Sequence, residues 1–262
     1  MRWWLPPKRL PLLHIADDRG EGPVVVLIHG IASSSVTFQN VVPLIEGSHR
    51  CISIDLLGFG GSPIVEDCDY TLADHVEAIR RTIASLRLRE PFTLVGHSMG
   101  SLIGARFAAR YPRLVSKLVL VSPPIYLQPG ELSDDLDRGL MDFYLKAYQF
   151  FRANKEFTLK NAAIVEKFLS IPKAMDINEK TWTPFVKSLE NSIESQTTVS
   201  DLAAVQAPVE VVYGAFDQFA SEGSLKIVSR MKGVTVHKVA ASDHLIGKRL
   251  ARVVAQAIDA PV

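Results

Sequence analysis

The chain has 262 residues, a hydrophobic fraction of 47% and a formal net charge of +1 at pH 7. This apolar content is enough for a sizeable core and excludes a disordered chain, while the balanced charge gives no reason to expect nucleic acid or an anionic membrane as a partner. The length suits one large α/β domain with an insertion, or two modest domains.

The N-terminal segment MRWWLPPKRLPLL is apolar but is interrupted by prolines and by a Lys-Arg pair. It lacks the unbroken apolar run of a signal peptide, and no stretch of about 18 apolar residues follows it, so we expect a soluble, cytoplasmic protein without a membrane span. We expect Trp3 and Trp4 to pack under the first hairpin, with membrane or partner contact as the alternative. Cys51 and Cys68 predict no disulfide framework, and no metal-ligand spacing is present.

Short β-branched runs alternate with longer helical patterns along most of the chain. An antiparallel hairpin is expected first, with residues 17–20 (Asp-Asp-Arg-Gly) as its turn. Near-continuous apolar runs then predict strands that are covered on both faces, and strand–helix alternation predicts a mostly parallel sheet flanked by helices. The predicted strands are residues 24–29, 51–55, 92–95, 117–121, 209–213 and 234–239, and the predicted helices are residues 72–88, 99–111, 221–231 and 245–258.

The alternation stops between residues 124 and 205, which read as helices only and are rich in Phe, Tyr and Trp. This pattern divides the chain into a core of residues 1–123 and 206–262 and a helical insertion. One interpretation of the aromatic residues is a small subdomain with its own core. The other is a cap whose apolar underside closes over a substrate. Both can hold, because a cap has an inner and an outer face.

The segment GHSMG, residues 96–100, stands between a predicted strand and a predicted helix. On such a tight turn the Ser98 side chain is thrust out above the sheet, and a Cβ at either flanking glycine would collide with neighbouring backbone. The helix start also places the Met99 N–H near the reacting centre. A glycine-rich turn with an incidental serine is the alternative interpretation.

The segment HGIASSS, residues 29–35, follows another buried strand. Loops that leave parallel strands at their carboxyl ends border the crevice where ligands bind. The Ile31 N–H is therefore expected to join that of Met99 as an oxyanion hole, while His29 is expected to be a structural hydrogen-bonding residue. The next such loop, DLLGFGGS at residues 55–62, does not fit a phosphate-binding motif and is interpreted as a structural turn.

A serine nucleophile needs a base, and seven histidines are available. His244 is predicted to be the base because it alone lies on a loop after the last strand, from which it can reach across the sheet. His75 is expected on a helix surface, and His97 is expected to point away from Ser98. Asp217 leaves the adjacent strand and is the predicted orienting acid, with Asp243 as a rival.

With Ser98, Asp217 and His244 in that order and the elbow between strand and helix, the sequence resembles the α/β-hydrolase superfamily over about residues 10–258. The motifs that carry the resemblance are HG-I, DLLGFGGS, GHSMG and the pair GAFD and SDH. The resemblance implies a central sheet with an inserted helical cap at about 124–205, a serine-type triad, the Ile31 and Met99 oxyanion hole and no cofactor.

The resemblance leaves the substrate open. Serine at position 98 argues against haloalkane dehalogenases and epoxide hydrolases, which use aspartate there. The carbon–carbon bond hydrolases usually have HG-x-GPG, Asn before the nucleophile and Trp after the base, where this chain has HGIASSS, His97 and Leu245. Hydrolysis of a small-molecule ester with a medium-sized apolar or aromatic acyl group is the expectation that remains. The alternatives are a carbon–carbon hydrolase, lactonase, thioesterase, amidase or perhydrolase, and, from another class, a ligand-binding protein without turnover.

Overall fold

A seven-stranded sheet organises the computed structural model, which describes residues 10–126, 135–161, 165 and 177–261. Neighbouring strands are parallel except for β1 and β3, and the spatial order is β1-β3-β2-β4-β5-β6-β7. The strands are β1 (Ile15–Arg19), β2 (Val24–Ile28), β3 (Arg50–Ile54), β4 (Phe92–His97), β5 (Val115–Val121), β6 (Val209–Gly214) and β7 (Val234–Val239). The predicted mostly parallel sheet is confirmed. Trp3 and Trp4 lie outside the described residues.

Helices flank the sheet, and others follow one another between β5 and β6. The helices of the core are α1 (Val42–Ile45), α2 (Leu72–Leu86), α3 (Met99–Arg110), α8 (Glu222–Val228) and α9 (Lys248–Asp259). Those of the insertion are α4 (Asp135–Ala153), α5 (Lys155–Lys160), α6 (Trp182–Ser188), a π-helical segment (Leu189–Glu194) and α7 (Thr198–Ala204). In the described ranges, no helix is long and apolar enough to cross a membrane.

Successive side chains of a strand point to opposite faces of a sheet, so each buried strand contributes to two cores. On β2, Val26 and Ile28 pack in the cluster formed with α2 and α3, while Val25 and Leu27 pack in the cluster formed with α1 and α9. Both faces of the central strands are therefore covered, as their near-continuous apolar sequences predict.

The predicted hairpin is wrong. Asp17 and Asp18 lie within β1, which pairs antiparallel with β3 rather than with β2. The Arg50 guanidinium on β3 donates two hydrogen bonds to Asp18, at 2.8 and 2.7 Å. β2 lies between β3 and β4, so it has no free edge with which β1 could pair.

The insertion has a buried and an exposed side. Four of its aromatic residues are buried in the same apolar cluster as α2 and α3, and three others are exposed. The buried ones are Tyr144, Tyr148, Phe151 and Phe185; the exposed ones are Phe143, Phe150 and Phe157. The inner side of the insertion therefore continues the apolar core above one face of the sheet.

Candidate active site

Ser98 stands on the turn between β4 and α3 with φ +53° and ψ −123°, a conformation that costs a non-glycine residue about 1–3 kcal/mol. The Ser98 N–H donates to Val121 O on β5 at 2.9 Å, which helps to hold the turn. A Cβ on Gly96 would lie 2.2 Å from Gly100 O, and a Cβ on Gly100 would lie 2.4 Å from Ile28 O. The flanking glycines are therefore a steric requirement, as the sequence predicts.

His244 and Asp217 are both buried and are joined by a 2.9 Å hydrogen bond between His244 Nδ1 and Asp217 Oδ1. An ionised carboxylate can only accept, so the proton of the neutral imidazole is on Nδ1. The other ring nitrogen, Nε2, then has no proton, and its lone pair can accept one. The rival carboxylate, Asp243, is exposed and accepts from the Leu245 N–H at 3.1 Å.

The Asp217 carboxylate is kept ionised by its neighbours. Burial alone would raise its pKa, but the positive charge and hydrogen bond that His244 can supply, together with the Phe219 N–H at 3.0 Å, outweigh burial and lower the pKa. The Ser122 hydroxyl is close enough to contribute in the same direction, although its geometry falls short of a hydrogen bond. In the described chain, neither Ser122 Oγ nor Asp217 Oδ2 has a hydrogen-bond partner.

Ser98 and His244 line one cavity of about 20 Å³, which has room for roughly one water molecule. No hydrogen bond joins their side chains within the described residues. Catalytic hydrogen bonds are often long without substrate, so this separation is compatible with a nucleophile and its base. The other lining residues, mostly apolar, are Ile31, Pro124, Tyr148, Leu189, Ile193 and Phe219.

The backbone beside Ser98 offers two amides. Met99 is the first residue of α3, so its N–H has no acceptor within the helix. Ile31 shares the cavity with Ser98, and a Cβ on the preceding Gly30 would lie only 2.9 Å from Ser98 Cβ. Neither amide donates a hydrogen bond to another part of the chain that the structure describes. The two predicted oxyanion donors therefore lie on the two segments that meet at Ser98, the loop after β2 and the start of α3.

His29 is structural, as predicted. The Leu56 N–H donates to His29 Nε2 at 2.9 Å, so Nδ1 has the proton and donates to Gly30 O at 2.7 Å. Burial lowers the His29 pKa to about 4, which keeps the ring neutral. The ring thus connects the loop after β2 to the loop after β3.

His97 contacts His244 rather than Ser98. Its Nε2 donates to His244 O at 2.9 Å, and the two rings are 5.1 Å apart between centroids. Burial, and then the charge of His244, lower the His97 pKa to about 3. A neutral His97 therefore fixes the backbone of the loop on which His244 stands.

The expectation for His75 is wrong. This residue is buried on α2 rather than exposed, and its Nε2 lies 3.4 Å from Ser188 Oγ in the insertion. The α2 residues buried beside it, Leu72, Val76 and Ile79, have helical spacing and include position 75 on their face. Burial lowers the His75 pKa to about 4.

The Asp55 carboxylate holds the loop after β3 in place through hydrogen bonds. It accepts hydrogen bonds from the Ser35 N–H at 2.9 Å, the Gly61 N–H at 2.8 Å and His14 Nδ1 at 2.9 Å. These bonds support the interpretation as a structural turn. Among the described residues, no group of His, Cys, Asp and Glu side chains is arranged to hold a metal ion.

Sequence reasoning missed three contributors to the site. Phe219 follows Asp217, and its ring lies 4.8 Å from that of His244 in an edge-on arrangement. Ser122 has φ +50° at the end of β5. Tyr148 extends to the cavity from the insertion. Only Phe219 has a sequence signal, its position two residues after the predicted acid; the other two come from long-range packing.

The family model described as alpha/beta hydrolase fold matches residues 23–247. Relatives match shorter segments. A cis-3-alkyl-4-alkyloxetan-2-one decarboxylase from Shewanella oneidensis is 35% identical over 119 residues, which are 45% of this chain and 37% of that protein. Probable lysophospholipase BODYGUARD 1 from Arabidopsis thaliana is 37% identical over 110 residues, 40% of this chain and 24% of that protein. The matched segments thus span well under two thirds of these relatives.

Among solved structures, haloalkane dehalogenase DbeA from Bradyrhizobium elkani has a TM-score of 0.74 at 20% identity, over 92% of both chains. At this identity the likeness shows the fold alone.

Proposed function

Because the chain belongs to the α/β-hydrolase fold family, we propose that it is a serine hydrolase that cleaves carboxylic esters through an acyl-enzyme. The observation that carries the proposal is the buried pair of His244 and Asp217, 2.9 Å apart, beside a cavity that His244 shares with the strained Ser98. In this proposal Ser98 is the nucleophile, His244 the base and Asp217 the orienting acid.

In the first half-reaction, Ser98 Oγ attacks the ester carbonyl while His244 Nε2 takes the hydroxyl proton. The imidazolium that forms is stabilised by Asp217. The carbonyl oxygen becomes an oxyanion that accepts from the Met99 and Ile31 amides, and each such donor is typically worth about 10²–10³ in rate. His244 then donates its proton to the departing alcohol, which leaves the acyl group on Ser98.

In the second half-reaction, water replaces the alcohol. His244 Nε2 removes a proton from the water as it attacks the acyl carbonyl, and then returns the proton to Ser98 as the carboxylic acid departs. The side chains and amides of this chain supply the nucleophile, the base and the oxyanion donors, so the proposed reaction needs no cofactor.

We propose that residues 124–205 are the cap of this site. Tyr148, Leu189 and Ile193 line the cavity from the insertion, and the cavity of about 20 Å³ is too small for an acyl chain. In this proposal, substrate entry displaces part of the insertion, as the opening of a lid does in other enzymes. The apolar lining favours an apolar or aromatic acyl group.

Labelling by a fluorophosphonate, which phosphonylates activated serines, tests the nucleophile. Wild-type protein is expected to be labelled at Ser98 and to hydrolyse p-nitrophenyl butyrate, whereas Ser98→Ala is expected to lose labelling and about 10⁴-fold or more in turnover. Ser200→Ala is the matched control, because Ser200 is an exposed serine on α7. Unlabelled wild-type protein would favour a binding protein without turnover.

The substrate panel should include esters of graded acyl length, a lysophospholipid and an oxetan-2-one, because the relatives' names include the last two classes. A substrate that is hydrolysed at a carbon–carbon bond and a thioester complete the panel. If turnover of the esters is weaker than that of another class by an order of magnitude or more, the ester assignment is wrong while Ser98 remains the nucleophile.

A further inference from the structure

Two tyrosine hydroxyls meet beside the candidate active site. Tyr148 on α4 lines the cavity, and its hydroxyl oxygen lies 3.0 Å from that of Tyr126, which follows β5. Tyr148 is buried, and a hydrogen bond joins the two side chains. A polar pair in a mostly apolar wall needs an explanation, because burying a hydroxyl is unfavourable unless it is hydrogen-bonded.

Counting protons shows that the pair is incomplete. Each tyrosine hydroxyl has one proton to donate, and the bond between them uses one of the two. In the described part of the chain, neither hydroxyl has a hydrogen bond to any group other than its partner. One O–H donor of the pair therefore has no acceptor among the residues that the structure describes.

The unused donor belongs at the cavity. Of the two tyrosines, only Tyr148 is among the described residues that line the cavity. The backbone of Tyr126 is held beside the insertion, because its N–H donates to Gln196 Oε1 at 3.4 Å. When Tyr126 donates to Tyr148, the Tyr148 proton is left for the cavity, and accepting a hydrogen bond makes a hydroxyl a better donor.

Both hydroxyls stay protonated. Burial raises the pKa of Tyr126 and of Tyr148, and the Asp217 carboxylate acts in the same direction on Tyr126. The cavity lining contains no Lys or Arg among the described residues. The acceptor that suits this site is therefore neutral rather than an anion.

We propose that the Tyr148 hydroxyl, oriented by Tyr126, donates a hydrogen bond to a neutral oxygen of the substrate other than those of the scissile ester. The substrate class is then an ester with an added ether, hydroxyl or ketone oxygen near the reacting carbonyl. This inference rests on the proposed function, because it uses Ser98 as the point at which the ester reacts.

Two isosteric ester pairs test the proposal. On the acyl side, p-nitrophenyl methoxyacetate is compared with p-nitrophenyl butyrate; on the alcohol side, 2-methoxyethyl butyrate is compared with butyl butyrate. The quantity measured is the kcat/KM of the ether-containing ester divided by the kcat/KM of its hydrocarbon isostere, within each pair. The intrinsic reactivity of each ester is the same for wild-type and Tyr148→Phe. It therefore cancels when the ratio is compared between the two proteins.

Tyr148→Phe is expected to lower the ratio for at least one pair by roughly tenfold, the scale of one neutral hydrogen bond. Tyr126→Phe keeps the donor but loses its orientation, so a drop of about threefold is expected. Tyr111→Phe is the matched control, because Tyr111 caps the C-terminal end of α3, the end opposite Ser98. Its ratio should equal that of wild-type. Thermal melts show whether each variant folds.

Fluorophosphonate labelling of every variant separates the two proposals. Unlabelled wild-type protein would remove the proposed function. Labelled, active Tyr148→Phe with unchanged ratios for both pairs would overturn this inference alone. An equal loss on every ester, without a change of ratio, would also overturn it, because the hydroxyl would then be positioning water or supporting the fold.

Discussion

The α/β core and the helical insertion contribute to the candidate site by different physical means. The core places Ser98 directly after β4, and Asp217 and His244 on the loops after β6 and β7. Backbone hydrogen bonds hold these positions, such as Ser98 N–H to Val121 O at 2.9 Å and Phe216 N–H to Ser242 O at 2.8 Å. The insertion places Tyr148 and Ile193 over them through side-chain packing. Sheet ladders tolerate little displacement, whereas packed helices can slide or reorient. We therefore expect the rate of the chemical step to depend on the core. We expect substrate selectivity to depend on the insertion.

The insertion is also tethered to the core by hydrogen bonds to the loop that precedes α2. Lys187, Asn191 and Ser192 donate from α6 and the π-helical segment to the carbonyl oxygens of Cys68, Asp69 and Tyr70. These three acceptors are backbone groups, so the three bonds do not depend on which side chains the loop has. Lys187 also pairs with the Asp69 carboxylate at 3.2 Å. The π-helical geometry itself is a feature that is frequent at functional sites.

The largest expected effect lies in the core. Asp217→Asn should lower kcat by about 10³–10⁴-fold, because the amide cannot stabilise the imidazolium and its NH₂ group favours the wrong His244 tautomer. Asp243→Asn, which alters the exposed neighbour, should change kcat by less than about twofold. Steady-state kinetics on p-nitrophenyl butyrate measures both. A loss of less than tenfold in folded Asp217→Asn would show that another group orients His244.

Acid should unfold the protein through the core, because all seven histidines lie outside residues 124–205. His29 and His75 have their pKa lowered from 6.5 to about 4, and His97 to about 3. Between these values and 6.5 the unfolded chain binds more protons than the folded chain. Stability is thus lost as the pH falls below about 6.5, by up to about 3 kcal/mol for each histidine at pH 4.

Urea unfolding at pH 7, 6, 5 and 4.5 measures this slope. His75→Leu removes one of the three rings whose pKa burial lowers and should flatten the pH dependence of stability by about a third. His237→Gln is the control, because His237 is only partly buried and pairs with Glu210 at 2.6 Å. A slope unchanged in His75→Leu would mean that this ring is already charged in the folded protein.

How far the sequence predicts the structure depends on whether the signal is local. The parallel strands and the turn at Ser98 follow from apolar runs and from glycines whose Cβ positions are occupied by backbone. The helical spacing around His75 also predicts its burial, although its polarity argued for the surface. In contrast, nothing in β1 says whether β2 or β3 is its partner, because strand pairing is decided by the whole sheet. The positions of Tyr148 and Ser122 depend on long-range packing in the same way.

A change in the insertion should alter selectivity with little effect on the chemistry. Ile193 is buried against the cavity, so Ile193→Ala enlarges the space for the acyl group. We expect kcat/KM for octanoate relative to butyrate p-nitrophenyl esters to rise roughly tenfold, the scale of one or two methylene groups in an apolar site. Ile227→Ala on α8, at a partly exposed position, is the control. If labelling of Ser98 slows as much as ester selectivity changes, the division between core and insertion is wrong.

The smallest effect concerns Ser122, which follows β5 and whose hydroxyl helps to lower the pKa of the Asp217 carboxyl. Removing this hydroxyl should raise the Asp217 pKa and lower kcat by about threefold with KM unchanged, because stabilisation of the carboxylate matters most when His244 is charged. Ser122 has φ +50°, so Ser122→Gly relieves backbone strain that Ser122→Ala retains. The two variants should therefore share the same kcat while Ser122→Gly melts at the higher temperature. If kcat instead follows the melting temperature, Ser122 acts through the backbone of the core and not through its hydroxyl.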